Sequence, residues 1–313
     1  MDAPRTRVQR RPVHGVLLLD KPLGLSSNQA LQKCKWLLRA DKAGHTGTLD
    51  PLATGVLPLC FGAATKFGQM QLEADKTYEA TIRLGVKTAT GDAEGEVVAE
   101  RPVPDIAVHQ LADITQRFTG PIRQVPPMHS ALKKDGKALY EYARAGQEVE
   151  REARDVTVRS LSLSAIDDQH LKLVAQVTKG TYIRTLGEDI AEALGCGGHL
   201  TSLRRIASGQ FRADQCVTLP ALEAMAEDAR LGALLPVDAL LAGHTPVTLD
   251  ADNAGRFLSG LRRRGDWPDG EHIAVYGRDP RALLGTAHAK GGELIPGRLL
   301  APTEIQQILQ TAS

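Results

Sequence analysis

The stretch Gly44–Cys60, GHTGTLDPLATGVLPLC, sets one carboxylate, one imidazole and three threonines in a glycine-rich run ahead of an apolar segment. A carboxylate held in a rigid turn can serve as nucleophile or general base. Pro51 removes the next backbone N–H and confines Asp50 to extended or turn backbone. The same pair also fits a plainer role, Asp50 capping a short helical turn with Pro51 at its first position. Two phosphate chemistries are excluded. A P-loop ends in Gly-Lys-Ser/Thr, but Gly55 is followed by Val56. In the phosphorylated-aspartate pattern DKTGTLT the nucleophile precedes Lys-Thr-Gly, and here Gly44-His45 hold those places.

The elements that must position this loop follow from pattern. VHGVLLLDKPLGLSS reads as a buried strand ending in a turn, after which Ser26 or Ser27 caps a helix to about residue 40. VLPLCFG predicts a short buried strand, and AATKFGQMQLEAD a helix. KTYEATIRLGV alternates, with Tyr78, Ala80, Ile82 and Leu84 on one face. TGDAEGEV is a glycine-rich turn, and residues 105–118 predict a helix. Two strands flank Asp167-Asp168, TYIRTLGEDIAEAL is a helix, HLTSLRRIASGQF is strand-like, and helices span about 219–241. Composition shifts near Gly243-His244 to short strands and turns, predicting a β-rich unit over 244–313 of the size of a small barrel. Strands mixed with helices and tight turns indicate an α+β fold.

The 313 residues carry a net charge of +1, so any nucleic-acid footprint must be local rather than global. Local clusters exist: Arg5, Arg7, Arg10 and Arg11; Lys133, Lys134 and Lys137; Arg204-Arg205; and Arg262–Arg264. Cys34, Cys60, Cys196 and Cys216 form no C-x-x-C pair, which argues against a zinc site or a disulfide framework. No apolar run is long enough to span a bilayer, and Val16–Leu19 runs straight into Asp20-Lys21-Pro22. A reduced cytoplasmic protein is expected.

AGHTGTLDPLATGVLPLC resembles the catalytic signature of the bacterial TruB-type tRNA pseudouridine-55 synthases. LLLDKPLGLSS, KTYEATIRLGVKTATGDAEG, QVPPMHSALKKDGKALYEYARAG, VTKGTYIRTLGEDIAEALG and HLTSLRRIASGQF resemble further segments of that family, in its order, over most of residues 13–212. The resemblance implies a catalytic domain over 13–243 with a mixed, largely antiparallel central sheet, an RNA-clamping insertion at about 124–152, and a C-terminal PUA-like β-barrel over 244–313. Residues 1–12 fall outside it and are expected to be a disordered basic arm.

The resemblance also assigns roles. Asp50 is the nucleophile toward a flipped-out uridine, Tyr78 stacks on the uracil, and Arg184 pairs with Asp50, bidentately if its fork allows, and keeps it charged. Without the family, Arg184 would be read as pairing with Glu188 one turn on, which contributes only about 0.2–0.5 kcal/mol. Leu203 lines the site, His45 fills space vacated by the flipped nucleotide, and Thr46, Gly47 and Thr48 allow close RNA approach. Lys21, Lys133, Lys134, Lys137, Arg144 and Arg204, with Tyr140, are expected at the RNA backbone. No cofactor or metal is implied, because isomerisation transfers nothing. The implied partner is the T arm of tRNA, with no obligate protein partner, a monomeric state, and some assistance to tRNA folding. Two departures stand out. Gly195–Gly198 is unusually glycine-rich, which predicts a mobile turn, and Ala207-Ser208 stands where a basic residue would be unsurprising. An RNA-binding protein with an idle site and a guide-RNA-dependent synthase are the rival readings.

Overall fold

The structure, a computed structural model, describes residues 9–311. The first unit opens with β1 (Gly15–Lys21), α1 (Ser27–Leu37), β2 (Ala43–His45) and β3 (Ala53–Phe61). A 3₁₀ turn at Gly62–Lys66, α2 (Gly68–Glu73) and β4 (Lys76–Leu84) follow. A hairpin of β5 (Val86–Thr88) and β6 (Val97–Glu100) leads to α3 (Val108–Arg117) and β7 (Gly120–Gln124). The next segment holds a second hairpin, β8 (Lys133–Lys134) with β9 (Lys137–Ala138), and the short α4 (Leu139–Arg144). Then come β10 (Arg154–Ala165), β11 (His170–Val177), α5 (Ile183–Ala193), β12 (Gly198–Ser208), β13 (Phe211–Arg212) and β14 (Val217–Thr218). The unit ends in α6 (Leu219–Ala224), α7 (Glu227–Gly232) and a 3₁₀ turn at Val237–Leu241.

These strands, apart from the two hairpins, make one ten-stranded sheet whose main path is β14-β1-β3-β12-β4-β11-β10-β7. The β1–β14 and β3–β12 pairs are parallel and the other pairs along the path antiparallel, giving the mixed, largely antiparallel sheet of an α+β fold. β1 and β3 read as unbroken apolar runs because both their faces are covered. Leu17, Leu19, Leu57, Leu59 and Phe61 point into one core, while Val16, Leu18, Val56 and Cys60 point into another. Where β3 meets β12, Gly55 has a φ of 100°, and a Cβ there would lie 2.2 Å from the Arg205 carbonyl oxygen. Only glycine permits that approach.

Several local expectations shift. Ser26 is the N-cap of α1 and forms a capping box with Gln29, an arrangement that contributes on the order of 1 kcal/mol. The segment after β3 splits into the 3₁₀ turn and α2, because the backbone leaves the helical region at Phe67, with φ −107° and ψ 0°. α3 starts at Val108 rather than 105. The Gly195–Gly198 turn is pinned rather than loose: Gly198 begins β12, and a Cβ on it would lie 2.8 Å from that of Ala191. Within the segment expected to be a basic arm, Arg10 Nη1 donates to the Ala40 carbonyl at 2.8 Å and Arg11 pairs with Glu227 at 3.3 Å. Arg5 and Arg7 lie outside the described residues.

The second unit comprises β15 (Thr245–Leu249), α8 (Ala251–Leu258), β16 (Arg263–Arg264), β17 (Gly270–Gly277), β18 (Ala282–Lys290), β19 (Glu293–Leu299) and α9 (Pro302–Thr311). Its five-stranded sheet runs β15-β17-β18-β19-β16, and α8 packs against β15, β16 and β17, across the opening of this half-barrel. Ala274, Leu283 and Leu300 join the core formed by Val16, Phe67, Phe211 and Leu241, so the two units share apolar packing. No helix among the described residues is long and apolar enough to cross a membrane.

Candidate active site

Asp50 sits in the loop between β2 and β3, and the chain on either side of it is fixed. Ser27, at the start of α1, accepts from the Leu49 amide at 2.7 Å and donates to the Leu49 carbonyl at 3.0 Å. The Gly24 amide donates to the Pro51 carbonyl at 2.9 Å. The Asp50 carboxylate caps no helix. It faces Arg184 of α5, with Oδ2 2.9 Å from Nη2.

Arg184 is a hub rather than half of a pair. Its Nη1 donates to the Thr90 carbonyl at 2.9 Å and its Nη2 to the His129 carbonyl at 2.7 Å. Asp92 Oδ2 lies 3.6 Å from Nη1. The contact with Asp50 therefore uses one nitrogen, not a two-pronged fork, and Glu188 is not its ion-pair partner. The Arg184 side chain is 5% exposed, so these acceptors replace water around a buried cation. Asp92 is buried within the β5–β6 turn that the sequence reads only as glycine-rich, and Thr90 Oγ1 donates to it at 2.5 Å. Burial raises the Asp50 carboxyl above its ordinary range, Arg184 opposes that rise, and Asp92 adds to it.

Two cavities flank Asp50. The first, about 430 Å³, is walled by Asp50, Tyr78, Leu203, Tyr182, Lys76 and Arg205, with Arg184 at its edge. Its size suits a small ligand. Tyr78 of β4 is half-buried and stands opposite Arg205 of β12 in the ladder, while Leu203 stands opposite Ala80. Neighbours so paired have Cβ atoms about 5 Å apart. The second cavity, about 630 Å³, is lined by Asp50, His45, Asp92, Glu94, His129, Tyr140 and Arg144. Asp50, Tyr78, Arg184 and Leu203 thus converge, while His45 and Arg144 lie on the other side of Asp50.

Other expected contacts take different places. Lys21 is fully buried and donates to the carbonyls of Pro22 at 2.9 Å and Leu25 at 2.5 Å, so it does not face a phosphate. Burial lowers its ammonium to about 8, against the attraction of Asp50. Thr46 is buried and bonded to the Pro58 carbonyl, so of the small residues Gly47 and Thr48 line the first cavity. His45 has a buried Nδ1 without a partner among the described residues, and burial, then the charge of Arg205, lower its pKa, keeping the ring neutral at pH 7. Lys133 and Lys134 are exposed on the β8–β9 hairpin, and Lys137 lies 4.5 Å over the Tyr142 ring. Arg204 is held by both Asp20 oxygens, at 2.9 and 2.7 Å, on the face of β12 away from the cavity. Its neighbour Arg205 takes the cavity side. Strand alternation signals this, since Leu203 and Arg205 share a face, as do Lys76 and Tyr78.

The family profile described as "TruB family pseudouridylate synthase (N terminal domain)" matches residues 35–183, and "tRNA pseudouridylate synthase B C-terminal domain" matches 184–242. A "tRNA pseudouridine synthase B" of Verminephrobacter eiseniae is 62% identical over 98% of this chain and 95% of its own. One of Cupriavidus metallidurans is 59% identical over 94% of this chain and 96% of its own. Among solved structures, a chain of a Cbf5-Nop10-Gar1 complex superposes with a TM-score of 0.69 at 25% identity, covering 93% of this chain and 86% of that one. A chain of an H/ACA RNP bound to a substrate RNA containing 2'-deoxyuridine shares the fold, with a TM-score of 0.68 at 23% identity over 92% of this chain and 86% of that one. On these matches, which together span nearly the whole sequence, the chain belongs to the TruB family of pseudouridylate synthases.

Proposed function

We propose that the protein isomerises uridine to pseudouridine in tRNA, at position 55 of the T loop, with Asp50 as nucleophile toward a flipped-out uridine. The observation that carries this reading is a single carboxylate at the head of a nucleoside-sized cavity, gripped by Arg184 and faced by Tyr78 and Leu203. Relatives named tRNA pseudouridine synthase B support the substrate. The target base leaves its stack because its reacting atoms are inaccessible there. Its ring lies against Tyr78, and the glycosidic bond breaks as Asp50 engages the nucleotide. The base turns, C5 bonds to C1′ as Asp50 is released, the C5 hydrogen leaves as a proton and N1, freed from C1′, takes one up, so the product is an isomer and no group is transferred.

Arg184 serves this chemistry by holding the Asp50 carboxylate charged and aimed. Neutral His45, on the far side of Asp50, takes the space opened by flipping. The β8–β9 lysines and Arg144 hold the RNA backbone, and the C-terminal half-barrel adds RNA affinity as a PUA-like domain. We read the protein as a cytoplasmic monomer acting without a protein partner or a cofactor. The test is tritium release from T-arm RNA labelled at uridine C5. Wild type is expected to release tritium and Asp50→Asn to release none while still binding the RNA. No release by wild type rejects the enzyme, and undiminished release by Asp50→Asn rejects the nucleophile.

A further inference from the structure

Arg205 is 1% exposed, yet no carboxylate lies within ion-pair distance of it among the described residues. Its Nε donates to the Val56 carbonyl at 2.6 Å and its Nη2 to the Gly47 carbonyl at 3.2 Å. Nη1 has no protein hydrogen bond among the described residues and borders the first cavity beside Gly47, where an added Cβ would lie 3.3 Å from it. A buried guanidinium without a counter-charge is strongly destabilising, so its retention in a substrate cavity points to an anion supplied from outside.

The cavity's other charges agree. Lys76, Lys179, Arg184 and Arg205 line it, and among the described residues Asp50, already engaged by Arg184, is its only acidic lining residue. The Lys76 ammonium is spent on three carbonyls at the end of α2, those of Gln71, Leu72 and Ala74, so it contributes field rather than contact. Lys179 is different. Its partner Glu73 sits on α2, and both side chains are largely exposed, at 59% and 46%. Such surface pairs are weak and exchange readily for a stronger anion.

We propose that Arg205 binds a phosphate diester adjoining the reacting uridine, with Lys179 released from Glu73 as a second contact. The proposal rests on the reading that the cavity takes a nucleotide of an RNA chain. The free Nη1 of this cation can donate to a phosphate oxygen in a charge-assisted hydrogen bond. The ladder pairing of Arg205 with Tyr78 puts the base-stacking ring and the phosphate donor side by side, the spacing of a base and its own backbone.

The test crosses protein and RNA changes. T-arm RNAs carry a neutral methylphosphonate at the linkage on the 5′ or the 3′ side of the target uridine, one at a time. Binding is measured for wild type, Arg205→Gln and Glu73→Gln, with folding checked by melting temperature. Wild type is expected to lose about tenfold in affinity on one of the two neutral linkages. Arg205→Gln should lose a similar factor on unmodified RNA and then ignore that linkage. Penalties that multiply, or no penalty in wild type, overturn the proposal. If Arg205→Gln does not fold, Glu73→Gln decides. Freeing Lys179 should tighten unmodified RNA by about two- to fivefold and leave the neutral-linkage RNA unchanged. Equal gains on both RNAs overturn the proposal. Tritium release is followed in parallel: a linkage pattern as expected without release rejects the isomerase and leaves the phosphate site standing.

Discussion

The cavity under Tyr78 is walled by Lys76, Lys179, Arg184 and Arg205 with Asp50 as its carboxylate, whereas the cavity beside His45 adds Asp92 and Glu94 and holds Arg144 and Arg184. Asp50 and Arg184 belong to both. The cationic side is suited to receive an anionic chain. The acidic side is suited to hold Arg184, since the Thr90 and His129 carbonyls accept its hydrogen bonds and Asp92 adds an ion pair at 3.6 Å. On the proposed function, the cationic side takes the reacting nucleotide, while the acidic side holds Arg184 against Asp50 and borders the flanking RNA through His45 and Arg144.

The largest effect expected on this contrast comes from Asp50→Asn, which should lower tritium release by about 10⁴-fold or more without lowering the melting temperature at neutral pH. The sign follows from the raised Asp50 carboxyl. A group raised in the folded state stabilises most below its unfolded pKa, and that contribution is lost as pH rises through the folded value. The ionised form of Asp50 thus opposes folding, and an amide in its place does not. Arg184→Ala is the converse. It leaves Asp50 and Asp92 buried together without their cation and should lower stability by about 3–5 kcal/mol in urea titrations. A stable Arg184→Ala would mean that the acidic side does not depend on it.

Arg205→Gln against Arg204→Gln sharpens the comparison within one dipeptide. Affinity for T-arm RNA should fall about tenfold for the first, and less than about threefold for the second, whose partner is the partly exposed Asp20. A smaller effect tests the acidic side. If Asp50 is the nucleophile, the rate should rise with pH as it ionises, and Asp92→Asn removes a charge that raises Asp50. The acid limb of the single-turnover rate should move to lower pH. A limb that stays in place or moves up would separate Asp92 from Asp50. Smallest of all, Lys133→Gln should reduce the slope of log affinity against log salt by about one unit or less, leaving the rate at saturation unchanged.

The loop of Asp50, the alternation of β4 and the α+β class were readable because each is written in contiguous residues. The grip on Asp50 was not. Ser27 and Leu49 are distant in sequence, and a capping serine reads the same whether or not its neighbour holds a loop. Arg184 beside Glu188 invites a helical pair, while its real partners are Asp50, Asp92, Thr90 and His129, four places that only the folded sheet collects. Lys21 misled because a lysine next to a turn looks solvated, although its ammonium can be sheltered by carbonyls of that same turn. Arg204 and Arg205 were separable by strand period, had Leu203 been used as the reference for direction.

Gly55 carries a consequence for how such a cleft can vary. With the Arg205 carbonyl 2.2 Å from where its Cβ would be, the seam between β3 and β12 is as narrow as two backbones allow. Tyr78, Leu203 and Arg205 hang from strands counted outward from that seam. A methyl group at Gly55 would act as a wedge, prising Arg205 off Val56 and Gly47 and shifting the cavity wall relative to Asp50 while touching no substrate. The gauge of the active site is set by a hydrogen atom.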